Sequence, residues 1–293
     1  MTGDRRTYRI VHTTAYAYSA DVTTSYGRAH LLPRPAPGQV FVNGSVELEP
    51  PADEIRSHTD FFGNVSTYYA VRAAHRTLQV TAISEVTVER TPPTVTDLDA
   101  FTWEQVREAA RDEVAVREFV LWSPLVRSTA AVADYAAQTF TPARPLGSAL
   151  VELLARIKRD FKYVSGATTV RTTLGEVLHK RQGVCQDFAH LAVGCLRSLG
   201  LPARYVSGYL ETYPPPGQPK LQGVDASHAW AAVYVPGFEW VAIDPTNNQF
   251  VDAGYVVAAW GRDYTDVPPL TGVIRTDADH STMKVSVDVT RVS

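Results

Sequence analysis

The hydrophobic period of this chain changes once, near residue 95, and that change limits what the chain can fold into. Before it come six apolar-rich runs: Tyr8-Ile10-His12, Ala15 to Tyr18, Ser25 to Leu32, Val40 to Leu48, Val65 to Val71 and Leu78 to Val88. Several alternate apolar with polar residues, as half-buried strands do. Turn residues at Pro33-Arg34-Pro35-Ala36-Pro37-Gly38 and Phe62-Gly63-Asn64 punctuate them. After the break Arg90-Thr91-Pro92-Pro93 the spacing becomes helical, over Trp103 to Val120, Thr129 to Phe140, Leu146 to Phe161 and Thr173 to Lys180. Strands segregated from helices predict an α+β protein. The expected organisation is an N-terminal antiparallel β-sandwich-like domain over residues 1–95, then a second unit over 96–293 with a helical part and an antiparallel sheet. The alternation of 282–292 predicts a last strand that returns to the N-terminal domain.

The helical part ends on Arg181-Gln182-Gly183-Val184-Cys185-Gln186-Asp187-Phe188-Ala189-His190-Leu191. Apolar residues then recur at Phe188, Leu191, Ala192, Cys195, Leu196 and Leu199, followed by Gly200 and Pro202, which stop a helix. Cys185 therefore falls in a first helical turn, where unpaired N–H groups and the helix dipole favour an anion and activate a thiol. A free cysteine is also commonly a small buried hydrophobe, which is the reading for Cys195 on the apolar stripe. Ten residues apart on one helix, the two sulfurs would lie about 15 Å apart along the axis. A disulfide needs Cα atoms within about 7 Å, so the two do not bridge. Asp187 and His190 fall on the first turns of the same helix, as neighbours of the thiol or, for Asp187, as a complement to the dipole.

Beyond it, Arg204 to Leu210 reads as a strand, and Pro214-Pro215-Pro216-Gly217-Gln218-Pro219 as a loop. Ser227 to Val235 and Glu239 to Thr246 flank Pro236-Gly237-Phe238 and predict a hairpin. A three-residue loop Val235 to Gly237 would pair Tyr234 with Phe238 and set His228 directly opposite Asp244, within hydrogen-bond reach. A thiolate at a helix start, an imidazole on a strand and a carboxylate beside it are the parts of a nucleophilic relay. The strand Tyr255 to Trp260 leads into a polar cluster, Arg262, Asp263, Tyr264 and Asp266, read either as a cleft wall or as a packed salt-bridge motif.

Composition narrows the setting. A formal net charge of −3 argues against a general nucleic-acid binder. No apolar run approaches the roughly 20 residues that span a bilayer, and Met1 to Arg9 is polar, so the expected location is cytoplasmic. Two cysteines without a Cys-x-x-Cys pair argue against a zinc site, and no cofactor is expected. Oligomeric state leaves no signal.

Three blocks, Gly183-Val184-Cys185-Gln186-Asp187-Phe188-Ala189, His228-Ala229-Trp230 and Asp244-Pro245-Thr246, resemble the signatures of the transglutaminase-like superfamily. The chain is similar in particular to its bacterial members with a β-rich N-terminal region. Gly200 to Tyr209 and Gly261 to Pro269 extend the resemblance over essentially the whole length. It implies a papain-like α+β core with Cys185 as nucleophile, His228 as base and Asp244 as its partner. Tyr163 and Gln182 become candidates for the side-chain donor to an oxyanion, beside the Cys185 backbone N–H. Gln186, Asp187 and Trp230 become candidates for the cleft lining. Gln186 stands where animal transglutaminases carry Trp, and neither a calcium loop nor the two trailing β-barrels of the animal enzymes is evident. The expected activity is therefore metal-independent hydrolysis of peptide amide or isopeptide bonds through a Cys185 acyl-enzyme. Amine-accepting acyl transfer comes second, and a catalytically silent peptide-binding module third. The expected partner is a peptide or protein substrate.

Overall fold

The computed structural model describes residues 4–212 and 227–293; the Pro-rich segment 214–219 lies outside the described residues. Five strands come first: β1 (Arg5–Ala29), β2 (Gln39–Glu49), β3 (Glu54–Thr59), β4 (Val65–Val71) and β5 (His75–Glu89). Helices α1 (Val95–Leu98), α2 (Trp103–Ala110), α3 (Ala130–Ala137) and α4 (Leu146–Asp160) follow. Two short strands, β6 (Lys162–Tyr163) and β7 (Gln182–Gly183), bracket α5 (Leu174–Lys180), and α6 spans Cys185–Ser198. The remainder is β8 (Ala203–Leu210), β9 (Ser227–Val235), β10 (Glu239–Asp244), β11 (Gln249–Phe250), β12 (Tyr255–Gly261), β13 (Leu270–Thr276) and β14 (Ser281–Arg291). The fold is α+β.

One long strand is the spine of the first sheet. The sequence shows three runs between residues 8 and 32, but β1 is a single strand of 25 residues whose register breaks between Ala17 and Val22 against β5 and between Val22 and Thr24 against β13. β5 pairs with its first half on one side and β14 on the other, from Tyr8↔Arg291 to Tyr18↔Ser281. β13 and β4 pair with its second half. The seven strands make one curled antiparallel sheet. Its arms close over a shared core in which Leu31, Tyr69, Val71, Leu78 and Val80 pack with Tyr16 and Leu48, giving the sandwich-like shape. β3 and β13 are invisible to sequence periodicity because almost every residue of each is exposed. Backbone pairing to β4 and β1 alone makes them strands.

The second sheet runs β11-β10-β9-β8-β12. One face carries Ala231, Val233, Val235, Val241 and Ile243, which pack on α4 and α6 in the largest core. In α6, Leu191, Val193, Cys195 and Leu196 are fully buried. Truncating one such leucine to alanine costs about 2–5 kcal/mol. The first sheet meets β8 and β12 through Tyr8, Ile10, Val86 and Val88 against Tyr209, Val256 and Ala258. The helix expected over Trp103 to Val120 stops at Ala110, and Val114–Phe119 is a 3-10 turn. Its buried residues, Val116 and Phe119, are three apart, which suits three residues per turn.

Candidate active site

Cys185 is delivered by a short, tightly built approach. α5 ends with Arg181 in the left-handed region (φ 53°), which turns the chain into β7. β7 pairs in parallel with β6, so Tyr163 lies beside Gly183. Gly183 is needed for space and not for a positive φ: a Cβ there would lie 2.8 Å from Asp187 Oδ2. Val184 has no side-chain oxygen to cap α6. The cap comes from the third helical position, where Asp187 accepts the Val184 N–H (2.8 Å) and the Thr168 hydroxyl (2.7 Å). Burial pushes the Asp187 carboxyl up against these bonds. Cys185 opens the helix half-buried, packed with Ala189, Tyr205 and Ala229. The N–H groups of Cys185 and Gln186 have no helical carbonyl to bond, whereas that of Asp187 reaches Val184 O (3.0 Å).

The hairpin brings the imidazole and carboxylate together in a register two residues from the expected one. Val235 pairs with Glu239 and Ile243 with Ala231, so the loop is Pro236 to Phe238 and Asp244 falls opposite Trp230. His228 is Asp244's diagonal neighbour. The contact survives because a shift of two keeps both side chains on the same face of the sheet. His228 Nε2 lies 2.8 Å from Asp244 Oδ2. The other ring nitrogen is left for Cys185, whose neighbour across the core is Ala229, the residue after His228. Burial alone would lower the His228 pKa. The hydrogen bonds to Asp244 and Cys185 and their charges outweigh it, and the imidazole rises to about 10.

Asp244 is fully buried and fully occupied. Oδ2 also accepts the Tyr255 hydroxyl (2.7 Å) and Asn247 Nδ2 (2.8 Å). Oδ1 accepts the backbone N–H groups of Thr246 (2.8 Å) and Asn247 (3.2 Å). Burial pushes this carboxyl up, but the bond from His228, its charge, and the Tyr255 and Asn247 donors hold it below the usual range. Gln249 Nε2 in turn donates to the Tyr255 oxygen (2.9 Å). Sequence reasoning misses Asn247, Tyr255 and Gln249. Tyr255 sits in an apolar strand and reads as core. The polar run Thr246 to Gln249 after an apolar strand is the signal that was there to use.

The remaining candidates divide. Tyr163 is half-exposed beside Gly183, and burial together with the Cys185 charge raises its hydroxyl pKa. Gln182 is half-buried in β7, three residues before Cys185. Gln186 donates to Val170 O (3.3 Å) at the surface. Asp187 and Trp230 are not cleft walls: they are 1% and 0% exposed, Asp187 because it caps the helix and Trp230 because it lies under His228, with ring centroids 6.1 Å apart. His190 is buried, accepts the Tyr264 N–H (3.1 Å) and lies tilted against Tyr205, ring centroids 4.8 Å apart; burial lowers it to about 4. The polar cluster is a packing motif: Arg262 pairs with Asp266 (2.9 Å), and Asp263 accepts from Thr265 and Leu125. Among the described residues no three His, Cys, Asp or Glu side chains gather as metal ligands would, and no helix is long and apolar enough to cross a membrane.

Comparison with known proteins agrees with this fold. Residues 8–87 match the bacterial transglutaminase-like N-terminal region, and residues 133–245 match the transglutaminase-like superfamily core. An uncharacterized protein of Mycobacterium tuberculosis is 48% identical over 296 residues, covering 99% of this chain and 94% of the relative. One of Mycobacterium leprae is 36% identical over 299 residues, covering 97% and 99%. The crystal structure of a protein from Cytophaga hutchinsonii, described as a "putative cysteine protease", shares the fold with a TM-score of 0.78 at 19% identity, over 100% of this chain and 93% of that one. With both of its regions matched and its full length shared with the mycobacterial proteins, the chain belongs to the transglutaminase-like superfamily, a family of thiol enzymes.

Proposed function

We propose that this protein hydrolyses amide bonds of peptides through a Cys185 thioester. The observation that carries the proposal is one arrangement: a thiol in the first turn of α6, close enough to raise the pKa of an imidazole that is held 2.8 Å from a buried carboxylate. The imidazolium holds the thiol proton, and the Cys185 thiolate attacks the carbonyl carbon. The oxyanion meets the Cys185 N–H, with Tyr163 or Gln182 as the second donor. His228 then protonates the leaving nitrogen and the C–N bond breaks. Water attacks the thioester, gives a proton to His228, and the C–S bond breaks to release the acid. Asp244 keeps Nε2 protonated and steadies the imidazolium.

Water is the acceptor we assign because the position after the nucleophile is open and polar. Gln186 is tied outward to Val170 O and builds no apolar wall beside the sulfur. A wall of that kind would favour an amine by excluding water from the thioester. The test is mass spectrometry of defined amide peptides incubated with wild type and Cys185→Ala under graded hydroxylamine. Free acid as the main product at low amine, absent in Cys185→Ala, is the expected result. Amine adduct alone under those conditions would replace hydrolysis by transfer.

A further inference from the structure

A second cavity, separate from Cys185, lies where the first sheet meets the outer face of the second. It has a volume of about 270 Å³ and is bounded by Ala36–Gly38 and Glu89–Pro93 on one side and by β8–β10 and β12 on the other. Its walls are largely apolar, with Val206, Val257 and three tryptophans, Trp230, Trp240 and Trp260.

Two buried donors that have no acceptor stand in the walls of this space. Arg204 is 7% exposed and Trp230 is 0% exposed. Neither Arg204 Nε nor Trp230 Nε1 has a hydrogen-bond partner. The contrast with the neighbouring arginines is informative. Arg34 is held by Phe62 O (2.6 Å) and Asn64 Oδ1 (2.7 Å), and Arg90 by Tyr255 O (3.0 Å). Arg204 has only ring contacts: Trp240, 4.2 Å from its Cζ, and Trp260, at 3.6 Å. Glu239 stands on the rim and its field reaches the guanidinium, yet the two form no ion pair. A buried cation without acceptors costs several kcal/mol, and Arg34 and Arg90 add to the positive potential around it.

We propose that this cavity binds the carboxylate of a small apolar acid. With two indole rings set against the Arg204 guanidinium, its N–H edge is the part left for a ligand. A planar carboxylate lying in that slot accepts parallel N–H bonds. The Trp230 N–H is the second donor, and the apolar walls take the hydrocarbon part. The volume lies just below the range of drug-sized pockets, roughly 300–1,000 Å³, which suits a compact acid. The acid is either a free small molecule or the C-terminal residue of a peptide. The site does not depend on the reaction assigned to Cys185, although Trp230 links the two by stacking under His228.

Three of the five tryptophans line the cavity, so intrinsic fluorescence reads its occupancy directly. Wild-type protein is titrated with 3-phenylpropionate, with its carboxamide, and with an N-acetylated dipeptide ending in phenylalanine, as free acid and as amide. A saturable change with at least one acid, and about tenfold weaker binding of its amide, is expected. Preference for phenylpropionate assigns a free acid, and preference for the peptide acid assigns a chain terminus. Trp230→Phe, which removes one N–H and keeps a ring, should weaken the acid several-fold and leave the amide alone. Equal affinity for acid and amide, or no saturable change with either acid into the millimolar range, would overturn the proposal in the wild-type protein, whatever the variant does.

Discussion

Two histidines flank the start of α6, His190 buried and His228 nearly so, and their chemistry is opposite. His228 is raised to about 10 and His190 is lowered to about 4. Burial pulls both down, so burial does not decide the charge. What decides it is the atom set against the ring. His228 Nε2 faces a carboxylate that accepts five hydrogen bonds and has nowhere else to place its charge. His190 Nε2 accepts a backbone N–H from Tyr264, a bond that requires a bare nitrogen, and its ring lies on Tyr205. One imidazole is built to carry a proton and the other to refuse it.

The largest expected effect breaks that contrast at its source. Asp244→Asn removes the anion and should bring the His228 titration down from about 10 toward the behaviour of His190. Peptide hydrolysis should fall on the order of 10³-fold. NMR titration of the imidazole, beside the rate, checks both. A His228 that still titrates near 10 in this variant would show that Asp244 is not the cause.

The pH dependence of stability follows with opposite signs. His228 titrates above its ordinary 6.5, so the stability it lends is complete below 6.5 and is lost as pH rises through about 10. Asp244 titrates below its ordinary 3.8, so its contribution holds above 3.8 and goes as pH falls through the lowered value. His190 titrates below 6.5 and withdraws stability as the pH falls from 6.5 toward 4, and buried His12 does the same. His190→Phe should therefore flatten part of the acid limb in urea unfolding between those values. Unlike the His228 changes, it should leave the pH profile of Cys185 alkylation in place. It should also cost about 1–3 kcal/mol at neutral pH, since the Tyr264 N–H loses its acceptor.

Tyr255→Phe sharpens the comparison more gently. It deletes one of three donors to Asp244 Oδ2 and orphans Gln249 Nε2. A charge-assisted bond is worth about 1.5–3 kcal/mol. As a positioning residue, Tyr255 should show its loss in kcat, about tenfold, with KM little changed. The smallest effect belongs to the two ends of α6. Burial pushes the Cys195 thiol up to about 12, whereas Cys185 opens the helix half-exposed. Iodoacetamide on native protein should label Cys185 and spare Cys195, and Cys195→Ala should leave the labelling rate unchanged.

Much of this arrangement is legible in the sequence, and the misses have physical causes. The change of period near residue 95 exposes the α+β order because each period follows a buried face. β3 and β13 have no buried face and leave no pattern. The hairpin register is missed by two residues because a Pro-Gly turn does not say which three residues form the loop; the His228–Asp244 contact is still found because parity, not register, sets the face. Asp187 and Trp230, expected at the cleft, are buried by roles that a motif does not display, a helix cap and a shelf under the imidazole. Tyr255 is hidden among apolar neighbours, since its ring packs as core while only its hydroxyl reaches Asp244.

The central claim is that His228 and Cys185 form an activated pair. The most direct test is the pH dependence of Cys185 alkylation in Cys195→Ala, with and without His228→Ala. The account predicts a rate that persists below about pH 7 and collapses when His228 is removed. A slow rate that rises only near a free thiol's value of about 8.5, the same in both proteins, would contradict it.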